Sequence, residues 1–307
     1  MLYEIAEHRV RITSEMEMDL SFPLRSYSPF VVEDDGEKAV IDLTLCSHMK
    51  AIPEEDCSLN RDVDTGNGII RVMKIEHGDR FGLQQDVDVS GGYQFVIFDI
   101  HNRPCALLIT DAEFYRCYSV VRSVGVNFQY ALNTILMLCY SFATAPYDTV
   151  LVHASVVRHK GTAYAFTAKS GVGKSTQVSN WLRYIPDCDL INDDNPILRV
   201  AGGRVYVYGS PWSGKTPCYR NIKVPLGGIA QICRDTRNYL LRLRPFRSFP
   251  LFTASCSSIK WDERIRSANY DTIEKVLNIM PFYELHCLPD KESAEVASAE
   301  MTGGVAG

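Results

Sequence analysis

The stretch that most constrains this chain is YAFTAKSGVGKST, residues 164–176. Residues 164–167 read as a buried strand, 168–173 as a glycine-bearing loop, and Lys174-Ser175-Thr176 as the start of a helix. That order aims successive backbone N–H groups at an anion seated on a helix N-terminus. The pattern is GxxxxGK[ST] with Ala168 in the place of the first glycine. Gly171 and Gly173 let the backbone curl, Lys174 supplies a point charge for β- and γ-phosphates, and the Ser175 hydroxyl is placed to ligate Mg²⁺. The candidate nucleotide-binding set is therefore Ala168, Lys169, Ser170, Gly171, Val172, Gly173, Lys174, Ser175 and Thr176, with ATP or GTP and Mg²⁺ as the expected ligands.

Composition narrows the class of protein around this motif. The 307 residues are 46% hydrophobic and 22% charged, enough apolar material for two domains with their own cores. A net charge of −5 gives no broad basic surface, so neither nucleic acid nor an anionic membrane is expected as a partner. The ten cysteines never fall two to four residues apart, which argues against a zinc knuckle and for reduced, buried thiols. The first residues, MLYEIAEHRVRI, alternate and carry charge, unlike a signal peptide. The longest apolar run, around 130–145, is too short and too polar to cross a bilayer, so a cytoplasmic location is expected.

Read in order, the chain begins β-rich. Period-two stretches occupy 3–12 and 28–45, with Asp34-Asp35-Gly36 as a hairpin turn, and 69–75, 93–100 and 105–110 read as strands. His8, His48, His77 and His101 are scattered through this part and form no constellation. From 111 to 145 the pattern turns helical, and 149–157 and 163–167 are strands separated by a Lys160-Gly161 turn. Past the loop come a helix over 175–184 and a buried strand over 188–192 that ends in Asp193-Asp194. A hairpin follows around 201–203, then a second glycine loop, GSPWSGKT at 209–216, a strand over 229–234 and a helix over 271–278. The expected boundary lies at 146/147, dividing a β-rich N-terminal domain (1–146) from a nucleotide-binding domain (147–307).

The ordered set His153, AKSGVGKS at 168–175 and Asp193-Asp194 resembles the catalytic domain of HPr kinase/phosphorylase, a P-loop branch related to ATP-dependent phosphoenolpyruvate carboxykinase. The resemblance covers roughly 147–290 and implies an α/β fold with a P-loop nucleotide-binding core of the HPr kinase/carboxykinase type. Residues 1–146 do not look like the sensor domain of that family, and its Arg-Gly-rich segment after the acids is not recognisable. The likeness is therefore nearer to HPr-kinase-like proteins found beside peptide-modification systems. It implies a Mg²⁺-assisted kinase acting on a Ser of a small protein or peptide.

Such a reaction needs charge neutralisation, a bridging metal and a group that accepts the acceptor's proton. Lys174 and the loop answer the first need, Ser175 with one acid the second, and the other acid the third. The resemblance gives the base role to Asp193 and the metal side to Asp194, with His153 tuning the pair. An acid pair in a turn-forming string such as 192–195 also reads as a simple turn. Lys215 is a candidate contact for the γ-phosphate or the acceptor, and equally an exposed loop lysine. The arginines at 220, 237, 242, 244 and 247 read first as a solvated face. A non-catalytic nucleotide-sensing subunit is the competing function, and a homo-oligomer is left open.

Overall fold

The computed structural model describes residues 1–65, 68–78, 87–214, 216–258 and 261–303. The chain is mixed α/β and divides into two compact units, Met1–Ala143 and Thr144–Gly307.

The first unit is an eight-stranded sheet with one long helix. Its strands are β1 (Leu2–Ile5), β2 (His8–Ser14), β3 (Ile41–Leu45), β4 (Cys57–Asp64), β5 (Ile69–Ile75), β6 (Tyr93–Phe98), β7 (Pro104–Thr110) and β8 (Arg116–Val121), in spatial order β1-β2-β3-β8-β7-β6-β5-β4. Residues 3–12 do not form one strand. Ala6 and Glu7 both take positive φ (48° and 64°) and fold the segment into a two-residue hairpin. The Asp34-Asp35-Gly36 turn joins no strand pair; its two carboxylates instead hold Arg11 and Arg9 of β2. The expected helix over 111–145 is shortened, because 116–121 find open edges on β3 and β7 and become β8. Only α1 (Val126–Ala143) is helical there.

Alternation along β7 supplies two cores. Leu107 and Ile109 face a cluster with Cys46, Met49, Ile52 and Ile75, while α1 packs against β3, β7 and β8. Beside α1 the rings of Phe114 and Phe142 meet edge to face at 5.3 Å, and Tyr93 stacks on Phe114 at 5.6 Å. The buried Tyr140 hydroxyl donates to the Ile5 carbonyl at 2.9 Å, tying the helix to the first hairpin.

In the second unit the strands are β9 (Thr149–Leu151), β10 (Ala154–His159), β11 (Thr162–Thr167), β12 (Cys188–Asp194), β13 (Ile197–Ala201), β14 (Arg204–Tyr208), β15 (Lys223–Arg234), β16 (Tyr239–Leu243) and β17 (Phe282–Cys287). Helices are α2 (Lys174–Tyr184), α3 (Pro245–Thr253), α4 (Glu263–Ile279) and α5 (Lys291–Gly303). The segment 149–157 is two strands rather than one: β9 pairs with β13, and β10 with β11 and β12. The twelve-residue β15 pairs first with β14 and then, in parallel, with β11 and β17.

The centre of this unit, β11-β15-β17, is parallel and covered on both faces, the arrangement that makes such strands continuously apolar. On β11, Ala163 and Ala165 enter a core with Phe252, Ile273 and Val276 of α3 and α4, whereas Tyr164 and Phe166 enter a second core with Trp181 of α2 and Ala294 of α5. Trp181 is fully buried against Tyr164 (5.4 Å) and Phe166 (5.6 Å). Truncating it to Ala removes about 3–5 kcal/mol of packing. Gln177, one turn earlier, exchanges hydrogen bonds with Ser293 and so fixes α5 to α2. None of the ten cysteines is bonded to another. Among the described residues no helix is long and apolar enough to cross a membrane.

Candidate functional site

The loop 168–173 leaves the C-terminal end of β11 and runs into α2. Gly171 (φ 77°) and Gly173 (φ 140°) occupy the left-handed side of the backbone map, where a side chain is strained, and a Cβ on either would point into open space. Ala168 is buried in the α2–α5 core, so its methyl group packs where the motif's usual glycine would leave a gap. Lys169 and Ser170 are exposed, as are Ser175 and Thr176 in the first turn of α2. No side chain caps that turn, which leaves its N–H groups free of an internal side-chain acceptor.

Strand register brings the other candidates to the same edge. Ala154 of β10 stands opposite Thr167 of β11 on one side and Asp194 of β12 on the other, and Ser155 stands opposite Asp193. His153, just before β10, is held by its N–H to the Ser255 carbonyl at 2.7 Å. The candidates His153 and Asp194, 41 positions apart in sequence, thus meet within hydrogen-bonding reach.

The two acids have different surroundings. Asp193 is buried (4% exposed), and its Oδ1 accepts from Ser155 Oγ at 2.6 Å and from Ser175 Oγ at 3.1 Å. Asp194 is half-exposed; its Oδ1 lies 3.2 Å from His153 Nε2 and its Oδ2 accepts from Asn195 Nδ2 at 2.9 Å. Ser175 thus meets Asp193 directly, not Asp194, the acid that the resemblance placed with it on the metal side. The physical reason is alternation, since neighbouring residues on β12 point to opposite sides and only one of them faces α2. Asp194 also holds φ at 139°, an uncommon and costly conformation for a non-glycine residue. Nor is the string 192–195 a free-standing turn, because 188–194 is paired strand.

Lys174 joins the two halves. Its Nζ is 2.8 Å from His153 Nε2 and 3.3 Å from the Ala168 carbonyl. Burial pulls its pKa below the ordinary lysine value, opposed by the charges of Asp194 and Asp193. The one ring nitrogen of His153 faces both a cation and an anion. It can accept from Lys174 or donate to Asp194, but not both at once.

Several residues that sequence reasoning passed over complete the site. Asn192 donates to Ser210 Oγ and to the Trp212 carbonyl, both at 3.1 Å, and accepts from the Asn195 N–H. This fastens the second glycine loop over the acids. The Gly214 N–H bonds the Asp193 carbonyl, and a Cβ there would come within 2.9 Å of that oxygen. Ser155 carried a weak signal, its place two residues after His153; the Asn192 network carried none. Lys215 lies outside the described residues.

Among the described residues no three His, Cys, Asp or Glu side chains converge as a metal-binding set. The oxygens present nevertheless suit Mg²⁺, which keeps several waters and takes one or two carboxylates together with substrate phosphates. Asp193 is a buried carboxylate served by two neutral hydroxyls, without an ion-pair partner among the described residues. A hard cation beside Ser175 would compensate that charge.

No family model matches the chain, and no curated protein matches it. Among solved structures it is similar to the HPr(Ser) kinase/phosphatase from Coxiella burnetii, at 9% identity and a TM-score of 0.28, over 50% of this chain and 95% of that one. At that score the overlap says little about shared topology, so the residues themselves bear the functional reading.

Proposed function

We propose that the chain is a nucleotide-dependent kinase that moves the γ-phosphate of ATP, or GTP, to a Ser hydroxyl of a small protein or peptide. The observation that carries this reading is the convergence of Lys174, Ser175, His153, Asp193 and Asp194 around the glycine loop. A protein that only senses nucleotide has no need of a strained, half-exposed carboxylate paired with a histidine beside the Lys174 ammonium.

The reading exchanges the roles that the family resemblance gave the acids. Asp193, buried against Ser175, suits the metal side; Asp194, accessible and beside His153, suits the base. Mg²⁺, when bound, would neutralise charge on the phosphate oxygens. Lys174 leaves His153 for the γ-phosphate, which frees Nε2. Asp194 then takes the acceptor's Oγ proton as the new Oγ–P bond forms, the bond from phosphorus to the bridging oxygen breaks, and the nucleoside diphosphate departs. The freed Nε2, 3.2 Å from Asp194, can share the proton that the carboxylate has accepted. His153 therefore acts as a positioning residue that serves Lys174 at rest and Asp194 during transfer.

Incubating the purified chain with γ-labelled ATP, Mg²⁺ and a Ser-containing peptide library tests the proposal, with Lys174→Met as control. Label on peptide serine with wild type alone is the expected result. Saturable ATP binding without label on any acceptor would instead favour the sensing subunit.

A further inference from the structure

The fold divides the arginine run of the C-terminal third. Arg220 pairs with Asp189 at 2.7 Å, whereas Arg242, Arg244 and Arg247 line one surface cavity of about 270 Å³ together with Leu243 and Phe246. This cavity lies where β16 ends and α3 begins. The phosphate loop leaves the C-terminal end of β11, which runs parallel to β15 and β17. Along β16 it is Tyr239 that stands opposite His286, near that end of β17, while Leu243 stands opposite Phe282, the first residue of β17. The cavity is therefore at the other end of the sheet from the loop and shares no residue with the site described above.

Arginines elsewhere in the chain meet carboxylates: Arg71 pairs with Asp62 at 2.8 Å, Arg103 with Asp99 at 2.9 Å and Arg158 with Asp189 at 2.7 Å. Among the described residues no carboxylate comes within ion-pair distance of Arg242, Arg244 or Arg247, although the chain carries more acids than bases, 37 against 32. The first turn of α3 supplies no acid and no side-chain cap either. Two further features say what kind of anion fits. Phe246 exposes 71% of its surface at the cavity and Leu241, next to Arg242 in β16, exposes 46%; a small inorganic anion would leave both in water. Moreover, among the described residues β16 pairs with β17 alone, so its other edge keeps free backbone N–H and C=O groups. An extended peptide can add to such an edge, with alternate side chains on one face.

We infer that β16 and the arginine cavity form a docking site for an acidic peptide segment of a partner protein: the segment extends the free edge of β16, its carboxylates pair with Arg242, Arg244 and Arg247, and an apolar side chain covers Phe246. The planar guanidinium forks suit carboxylates, which they meet through two parallel hydrogen bonds. The inference goes beyond the kinase reading and does not depend on it, since the cavity uses none of the residues around the phosphate loop.

Fluorescence anisotropy of the full chain with a labelled peptide of alternating Glu and Val tests this. Saturable binding that weakens with added salt is the expected result. The triple variant Arg242→Gln, Arg244→Gln, Arg247→Gln should bind about tenfold more weakly at an unchanged melting temperature, because three exposed ion pairs together carry about that factor. Replacing each Val of the peptide by Pro removes backbone N–H donors and should weaken binding by a similar factor. No saturable binding, or the same affinity in the triple variant, would overturn the proposal; the same affinity for the proline peptide would overturn strand addition and with it the proposal as stated. Tighter binding of single-stranded oligothymidylate, or of phosphatidylserine vesicles, than of the peptide would assign the cavity to nucleic acid or to a membrane and overturn it as well.

Discussion

The hydroxyl of Ser175 lies 3.1 Å from Oδ1 of Asp193, at the bottom of a site whose other acid, Asp194, turns away to His153. That asymmetry separates the two acids experimentally. Asp193→Asn is expected to remove most of the Mg²⁺-dependent part of ATP binding. Asp194→Asn should leave Mg-ATP affinity nearly unchanged and lower transfer by about 10² to 10⁴, the usual loss with a general base. Parallel titrations and single-turnover assays distinguish them; exchanged phenotypes would restore the assignment drawn from the family resemblance.

Lys174 is held charged at a cost. Its folded-state pKa is lowered, first by burial, so between that value and 10.5 the unfolded chain binds more protons and stability rises with pH. At neutral pH the ammonium is a burden. Lys174→Met should therefore raise the melting temperature of the ligand-free protein by about 1–3 °C, yet abolish the stabilisation that wild type gains from Mg-ATP. At a hundredfold excess over Kd that gain is about 2.7 kcal/mol. Thermal unfolding with and without ligand reads both effects.

The second glycine loop approaches the acids as closely as a backbone without a side chain allows. A methyl group on residue 214 would press on the Asp193 carbonyl and lie 3.1 Å from Asp194 Cβ. Gly214→Ala should lower kcat by about tenfold or more, since small displacements of a reacting group are expensive. Because Gly214 itself is exposed, the melting temperature of the protein should fall far less than that loss of rate would suggest.

Acid stability of the second unit should depend on Asp189. Burial raises its carboxyl, but hydrogen bonds from Arg158 and Arg220 outweigh that and hold it below the ordinary 3.8. A depressed carboxyl contributes stability that is fully present above about pH 4 and is lost as pH falls through the lower folded-state value. Asp189→Asn should thus reduce the melting temperature at neutral pH, and the difference from wild type should shrink as pH falls below about 4. Melting curves across that range test the sign.

All the proposed catalytic side chains belong to the unit Thr144–Gly307. A fragment of residues 144–307 should retain Mg-ATP stabilisation close to that of the whole chain. A folded fragment that had lost it would show that residues 1–143 are needed for nucleotide binding.

The local parts were legible in the residues alone: the strand, the glycine loop and the helix at 162–184 follow from residue types within a few positions of one another, as do the positive-φ glycines. Apolar patterning likewise located β5, β6, β7 and β11. Features that depend on partners far along the chain could be read only from the folded molecule. Residues 116–121 look helical in context, yet become β8 because β3 and β7 offer edges. The run 149–157 breaks at His153 because β9 and β10 pair with different neighbours. The contact of Ser175 with Asp193 follows from the β10–β12 register and the two-residue alternation of a strand, neither of which is written in the dipeptide Asp193-Asp194. Backbone preference is a nearest-neighbour property, but strand pairing and side-chain facing are set by which distant segment supplies the hydrogen bonds.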